Sequence, residues 1–342
     1  NGNWANWEER TRSLVQQALA NNYVVEHDIW NEPEDEWPNS GRPISQYLEM
    51  WRRTVLLIRS LDPNAKIVGP SSTGFAFVKD TFLAYAKTNS VLPDVISWHS
   101  HVKESVTDRG SSIPSQVAYV RKYVQDNNIT QVKKISINEY QRPEDSTNGG
   151  VAVKFFYELE RAKVDSAART CWQEGVRMWG CWPQLNNLLT PQTCTGPEGP
   201  ERSCLSDWKP RSIWWAYKGY ADITGRLVRV TPQDHVYGVA GYAQNTGEAR
   251  VVVGRVEGKK KPVEIEFRNL DRTPFLTGEG HAVWVEAEHI IASGLEAATP
   301  VKVISRRFAV SHNTLRLTLP DFGAGDAYTV VLRQDKTYQT PL

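Results

Sequence analysis

The order of the apolar segments is the feature that most constrains the fold of this chain. Through residues 1–222, short apolar runs alternate with segments whose apolar positions recur at helical spacing. Strands are predicted at 24–30, 66–70, 94–99, 134–140 and 164–172, and helices near 8–20, 43–60, 76–87, 114–127, 150–163 and 212–222. Strands and helices that alternate in this way favour parallel pairing, so the pattern predicts a (β/α) barrel.

The number of predicted strands is smaller than a complete barrel requires. A closed barrel of this type has about eight strands, and the first three have no counterpart in this sequence. We therefore expect a (β/α)8 TIM barrel that lacks its first three strands in this chain, or a barrel that is open or completed by other means. The chain begins at Asn1-Gly2-Asn3 without an initiator methionine, so we expect it to be processed or truncated.

Beyond about Gly225 the pattern changes to alternation of apolar and polar residues. The alternating runs lie at 236–242, 249–254, 263–267, 282–285, 315–319 and 328–332, and turn sequences separate them. This pattern predicts an antiparallel β-sandwich. The expected domains are a catalytic (β/α) barrel at 1–222, with its N-terminal part missing, and a C-terminal β-sandwich at 223–342.

Charge and composition narrow the classes of partner. The formal net charge is +1, and the longest basic run is Lys259-Lys260-Lys261, which argues against nucleic acid or an anionic membrane as partner. The sequence has no stretch of about eighteen apolar residues that would predict a membrane-spanning helix. Thirteen tryptophans in 342 residues suggest a carbohydrate ligand, because exposed indole rings often serve as platforms for sugars.

The cysteines favour disulfides over a metal site. Cys171, Cys181, Cys194 and Cys204 are too widely spaced for the usual zinc-binding pairs and have no histidine between them. We predict the pairs Cys194 with Cys204 and Cys171 with Cys181, which imply an oxidising compartment. Together with a glycosylation sequon at Asn128, they predict a secreted or extracellular protein.

Two glutamates end predicted strands of the barrel. Glu32 follows the apolar run 24–30 in Trp30-Asn31-Glu32-Pro33, and Pro33 stops that strand, while Glu139 ends the run 134–140. Parallel strands of a barrel end at one rim, so we expect the two carboxylates to lie close together. Cleavage of a glycosidic bond needs a proton for the departing oxygen and a stabiliser for the oxocarbenium-like centre, which a carboxyl pair supplies.

With these residues the chain resembles the clan A glycoside hydrolases, and the added sandwich is most like that of glycoside hydrolase family 39 and its relatives. Trp30-Asn31-Glu32-Pro33-Glu34 is similar to the motif of the fourth barrel strand, and Asn138-Glu139-Tyr140 to that of the seventh. The resemblance implies a retaining glycosidase with Glu32 as general acid and base and Glu139 as nucleophile. Their carboxyl groups should lie about 5–5.5 Å apart. Their environments should push the two pKa values apart, so that the acid is protonated at working pH and the nucleophile is not.

The resemblance also implies residues that contact the sugar. Asn31 should hydrogen-bond the 2-hydroxyl, and His99 should lie beside the nucleophile. Relatives often carry tyrosine at the second position of that strand, where this chain has His101, which shares a strand face with His99. Tyr140 could contact the nucleophile or simply pack. The remaining predicted substrate-binding residues are Trp30, Trp172 as the floor of the sugar subsite or as a core residue, and Gln173.

The predicted function is hydrolysis of O-glycosidic bonds in a plant or microbial polysaccharide or oligosaccharide, of the β-xyloside, β-glycoside or α-L-arabinoside type. Two-carboxylate chemistry needs no cofactor, and no metal-ligand spacing was found. One alternative is a non-catalytic carbohydrate-binding protein on a degenerate barrel. Another is a transglycosylase that uses the same covalent intermediate. The sequence leaves open the sugar, the linkage, exo or endo action and the oligomeric state.

Overall fold

The computed structural model describes residues 3–101, 112–142, 145–170, 188–190, 194–195, 203–204, 208–278 and 281–335. The chain folds into two compact units. The first comprises Asn1–Arg142 with Arg161–Thr170, and the second comprises Pro143–Glu160 with Cys171–Leu342.

The first unit is built on a parallel sheet whose strands follow the order of the sequence. The strands are β1 Glu26–Asp28, β2 Lys66–Ser72, β3 Val95–Ser100, β4 Lys134–Tyr140 and β5 Ser166–Arg169. Neighbouring strands pair in the order β1-β2-β3-β4-β5, and every pair is parallel. This arrangement confirms the five predicted parallel strands, and sequential parallel order is that of a barrel wall.

Helices precede and separate these strands, as the periodicity predicted. They are α1 Trp4–Ala20, α2 Pro33–Asn39, α3 Ile44–Leu61, α4 Phe75–Phe77, a π-helical turn Val78–Phe82, α5 Leu83–Thr88, α6 Ile113–Asp126 and α7 Gly149–Ala162. The short helix α2 was not predicted. Pro33 occupies its first turn together with three acidic residues, both of which favour a helix start.

The helix α3 covers the sheet with one apolar face. The residues predicted at helical spacing are all buried, namely Tyr47, Met50, Trp51, Val55 and Ile58. Trp51 is fully buried, and its ring lies so close to Gly69 of β2 that a β-carbon there would come within 2.4 Å of it. The backbone of β2 thus touches the indole directly, which only glycine permits.

The second unit is dominated by antiparallel sheets, in agreement with the predicted alternation. The strands are β8 Arg226–Val228, β9 Val236–Ala243, β10 Glu248–Arg255, β11 Lys261–Phe267, β12 Ala282–Ile290, β13 Val301–Ala309, β14 Leu315–Phe322 and β15 Ala327–Gln334. A six-stranded sheet has the order β13-β12-β15-β10-β9-β8, and β11 pairs with β14. One apolar core joins side chains of both sheets, including Val285, Leu317 and Val330. The strands β8 and β13 were not predicted.

A second apolar cluster of this unit lies under two helices. Phe156 of α7 and Ile213 and Ala216 of α8 (Ser212–Ala221) pack with Val239 and Val252 of the six-stranded sheet. The compact units therefore follow a different division from the domain limits at residue 222, which stay a prediction.

The remaining segments bear on the predicted disulfides. Two short strands, β6 Cys194–Thr195 and β7 Ser203–Cys204, pair antiparallel, and their register sets the backbone of Cys194 opposite Cys204. Cys171 and Cys181 lie outside the described residues. The disulfides and secretion stay predictions. Within the described ranges, no helix combines the length and apolar character needed to cross a membrane.

Candidate active site

The backbone of Glu32 is fixed by contacts on both sides. Its N–H donates to the carbonyl oxygen of Ser71 at 2.8 Å, and its own carbonyl accepts from the N–H groups of Asp35 at 3.1 Å and Glu36 at 2.9 Å. The residue adopts a left-handed conformation with φ 47° and ψ 52°. Glu32 is thereby held between the end of β2 and the start of α2.

Glu139 lies next to His99 across two parallel strands. The register of β3 and β4 pairs His99 with Glu139, and irregularities in pairing fall between Trp98 and His99 and between Ile137 and Tyr140. A carboxylate oxygen of Glu32 and one of Glu139 lie within 4.8 Å of each other. The structure therefore brings together the two carboxylates that the sequence placed on one rim.

Both predicted histidines lie at the carboxylates. Nδ1 of His99 is 2.9 Å from Oε1 of Glu32 and 3.8 Å from Oε2 of Glu139. Nε2 of His101 is 3.5 Å from Oε2 of Glu139 and 2.7 Å from the hydroxyl oxygen of Thr170. The two rings are 5.3 Å apart between centroids. These four side chains could also hold a metal ion, which their spacing in the sequence did not indicate.

The two carboxyl groups have pKa values shifted in opposite directions, in the reverse of the order expected for an acid at Glu32 and a nucleophile at Glu139. The hydrogen bond with His99 lowers the pKa of Glu32 against the opposing effect of burial. Burial raises the pKa of Glu139, and the charge of His99 opposes that rise. An ionised carboxylate only accepts hydrogen bonds, so Nδ1 of His99 carries the proton shared with Glu32. Burial also lowers the pKa of His101 to about 4.

A polar network that the sequence analysis missed spans four strands of the same sheet. The Ser71 hydroxyl lies 2.6 Å from Oδ2 of Asp28 and 2.9 Å from the hydroxyl oxygen of Ser97. The amide of Asn138 donates to the Ser71 hydroxyl at 2.9 Å and to Oδ2 of Asp28 at 3.3 Å. Two features of the sequence could have predicted this network: Asp28 interrupts an apolar run, and Asn138 directly precedes Glu139.

The carboxyl group of Asp28 is perturbed by this setting. Desolvation by the surrounding protein raises the pKa of Asp28 to about 6, and the hydrogen bond from Ser71 opposes the rise. Part of the side chain nevertheless remains exposed to solvent. The network thus adds a third titrating carboxyl group to the sheet that carries Glu32 and Glu139.

Of the other five predicted substrate-binding residues, the structure describes three. The ring of Trp30 packs between those of Trp7 and Trp37, with centroid distances of 5.7 and 5.6 Å, so helix packing accounts for its described ring contacts. Asn31 is exposed beside Glu32, and Tyr140 is buried in β4. Contacts of Trp30, Asn31 and Tyr140 with a sugar stay predictions. Trp172 and Gln173 lie outside the described residues.

Comparison with known sequences adds a family relationship. Residues 3–149 match the family model of glycosyl hydrolases family 39. The whole chain aligns at 25% identity with 28% of a 3-O-alpha-D-galactosyl-alpha-L-arabinofuranosidase of Bifidobacterium longum subsp. longum. At 24% identity, 97% of it aligns with 35% of a 3-O-beta-L-arabinopyranosyl-alpha-L-arabinofuranosidase of Bifidobacterium pseudocatenulatum. The chain thus spans about a third of the length of these curated relatives.

Solved structures show a similar fold. N2152 from Neocallimastix frontalis superposes with a TM-score of 0.76 at 25% identity, over 97% of this chain and 76% of that one. The GH39 enzyme from Xanthomonas axonopodis pv. citri gives 0.62 at 15% identity, over 97% and 73%. A GH39 beta-xylosidase from Caulobacter crescentus gives 0.59 at 17% identity, over 96% and 72%.

The match to the family model and the two curated glycosidases relate this chain to the clan A glycoside hydrolases. Within that clan, the chain is related to glycoside hydrolase family 39.

Proposed function

We propose that this chain hydrolyses glycosides with retention of configuration. The observation that carries the proposal is the approach of Glu32 and Glu139, whose carboxylate oxygens come within 4.8 Å. Retaining enzymes hold their two carboxyl groups about 5–5.5 Å apart, whereas inverting enzymes leave roughly 6.5–9.5 Å for a water molecule. The short separation supports attack by a carboxylate instead of by water.

In the proposed reaction, Glu139 attacks the anomeric carbon and forms a covalent glycosyl ester as the glycosidic bond breaks. Glu32 gives its proton to the departing oxygen. In the second step Glu32 takes a proton from water, the resulting hydroxide oxygen bonds to the anomeric carbon, and Glu139 leaves as a carboxylate. The assignment of the two roles follows the family resemblance of Trp30-Asn31-Glu32-Pro33 and Asn138-Glu139-Tyr140.

The hydrogen bond between His99 and Glu32 suits the second step of the proposed reaction. A general base must be ionised, and the hydrogen bond from His99 favours that form. The first step instead needs a protonated Glu32. We infer that the leaving-group oxygen of a bound sugar replaces His99 as partner of Glu32, which removes the contact that stabilises the ionised form.

The proposed substrate is an α-L-arabinofuranoside, with a β-xyloside as the second choice. Two curated relatives are named as α-L-arabinofuranosidases, and a similar structure is named as a β-xylosidase. Fold alone does not decide between sugars. We therefore propose the class of substrate from the relatives and the reaction from the carboxylate pair.

The test is a panel of aryl glycosides that includes the α-L-arabinofuranoside, xyloside, glucoside and galactoside. We expect turnover of the arabinofuranoside, its loss in Glu139→Ala, and partial rescue by azide with an inverted glycosyl azide as product. Azide added to Glu32→Ala should instead give a product of retained configuration, because the nucleophile is still present. Glu36→Gln, at an exposed position of α2, is the matched control.

Three results would overturn the proposal. Wild-type turnover by both Glu32→Gln and Glu139→Gln would exclude the two-glutamate mechanism. If no sugar of the panel is cleaved while oligosaccharides still bind, the chain is a carbohydrate-binding protein. Transfer of the sugar to an added acceptor, in place of release into water, would identify a transglycosylase.

A further inference from the structure

We propose that Glu32, His99, His101 and Glu139 form a binding site for a zinc ion. The bound ion would block the candidate active site. One possible ligand atom of each residue lies within 4.8 Å of the corresponding atoms of the other three. Among the described residues, no other group of three or more histidine, cysteine or acidic side chains converges in this way.

The distances approach those of a tetrahedral zinc site. With zinc bonds of about 2.0–2.2 Å, neighbouring ligand atoms are roughly 3.3–3.6 Å apart. His101 Nε2 lies 3.5 Å from Glu139 Oε2, His99 Nδ1 lies 3.8 Å from the same oxygen, and His99 Nδ1 lies 2.9 Å from Glu32 Oε1. Shifts of roughly 1 Å in the ligand atoms would complete the geometry, and rotation of the partly exposed Glu32 and Glu139 side chains can supply them.

The chemical nature of the donors selects the metal. Two carboxylates balance the charge of a divalent ion, and two imidazoles favour zinc or its neighbours in the transition series over magnesium and calcium. The side chain of His99 is fully buried and that of His101 is 15% exposed, so both rings are held in place before the ion arrives. A site of this kind needs little ordering on binding.

Existing contacts oppose the ion and limit its affinity. Zinc would have to displace the proton on Nδ1 of His99, whose Nε2 is buried without a hydrogen-bond partner among the described residues. It would also take the nitrogen of His101 that contacts the Thr170 hydroxyl at 2.7 Å. We therefore expect reversible binding, weaker than that of a structural zinc site, and competition with the sugar for both carboxylates.

The first experiment measures zinc binding directly and does not depend on catalysis. Calorimetric titration of the chain with zinc chloride should show this site, whereas magnesium chloride should give no comparable heat. Both His101→Ala and the isosteric Glu139→Gln should weaken zinc binding by at least about tenfold. The control is His235→Ala, which removes an exposed histidine paired with Glu257 at 2.9 Å and should leave the affinity unchanged.

A second measurement reports the geometry at the metal. Cobalt(II) in place of zinc should give the intense visible absorption of a four-coordinate ion, and both ligand variants should lose it. The inference fails if zinc binds wild type and both variants equally, or if zinc does not bind. Glu139→Gln keeps the size of the side chain, so it decides the question even if His101→Ala does not fold.

The inhibition of glycoside cleavage by zinc rests on the proposed function and is tested separately. With the aryl glycoside that the chain cleaves, zinc should raise KM and leave kcat unchanged. Inhibition that does not compete with the sugar would place the ion elsewhere. If no glycoside is cleaved, the proposed function fails, while the calorimetric and cobalt results still decide whether the zinc site exists.

Discussion

Nδ1 of His99 donates a hydrogen bond of 2.9 Å to Oε1 of Glu32, across 67 positions of the sequence. The same nitrogen lies 3.8 Å from Oε2 of Glu139. One buried imidazole therefore contacts both halves of the candidate carboxyl pair and favours the ionised form of Glu32.

The leaving group tests the role assigned to Glu32. For a poor leaving group, Glu32→Gln should lower kcat/KM by about 10²–10⁴, the usual contribution of a general acid. For a dinitrophenyl glycoside the loss should be much smaller, because that leaving group departs without a proton. The ratio of kcat/KM for the two substrates is the measurement, with Glu36→Gln as control. An equal loss on both substrates would assign Glu32 a role other than proton donation.

Asp28 should make stability depend on pH in the opposite sense to an ordinary ion-paired aspartate. Its pKa is raised from 3.8 to about 6 in the folded chain. Between these values the folded state binds more protons than the unfolded state, so the free energy of unfolding falls as pH rises. Asp28→Asn removes this effect. The melting temperature of Asp28→Asn minus that of wild type should therefore be larger at pH 7.5 than at pH 4.5. An equal difference at the two pH values would contradict the raised pKa of Asp28.

The contact between Gly69 and Trp51 predicts a steric penalty. A β-carbon on Gly69 would lie 2.4 Å from the buried indole, so Gly69→Ala should lower the free energy of unfolding by about 1–3 kcal/mol. Gly74→Ala is the control, because a β-carbon on Gly74 would have no other atom within 4 Å. Chemical denaturation measures both. Equal stability of the two variants would show that the indole moves aside at little cost.

The carboxylate of Asp326 should stabilise the second unit at neutral pH. Burial alone raises its pKa, but hydrogen bonds from His289 at 2.9 Å, from Ala292 N–H at 2.8 Å and from Gly323 N–H at 2.9 Å hold it below its ordinary value. This stability is present above the unfolded pKa and is lost as pH falls through the folded pKa.

Asp326→Asn should therefore cost about 1.5–3 kcal/mol at pH 7, the range for a hydrogen bond to a charged group, and less near pH 3. The control is Asp321→Asn in the preceding strand, where the side chain is 74% exposed and its contact with Lys260 is long, at 3.9 Å. Denaturation at both pH values measures the difference. A cost at Asp326 that does not change with pH would point to packing instead of charge.

Local pattern was sufficient to predict most of the first unit and the centre of the site. Short apolar runs located the five parallel strands, and apolar residues at helical spacing located the long helices. Glu32 and Glu139 came together because parallel strands end on one side of a sheet. His99 and His101 did so because alternate residues share a strand face.

The features that were missed depend on tertiary contacts. The network of Asp28, Ser71 and Asn138 needs the strand register and its irregularities, which no single run of residues encodes. The packing of the Trp30 ring against Trp7 and Trp37 from two helices was likewise not predicted, and its contact with a sugar stays a prediction. The strand β13 alternates poorly because most of its residues are exposed, so its sequence lacked the usual signal.

The cluster of Trp7, Trp30 and Trp37 gives the protein an intrinsic optical probe. Indoles 5.6–5.7 Å apart and tilted by 56° and 59° should couple their electronic transitions and exchange excitation energy. Because Trp30 precedes Glu32 by two residues, the near-ultraviolet circular dichroism and the tryptophan emission of these three residues should report whether the segment that carries Glu32 is ordered. Loss of these signals before global unfolding would reveal local opening of that segment without any substrate.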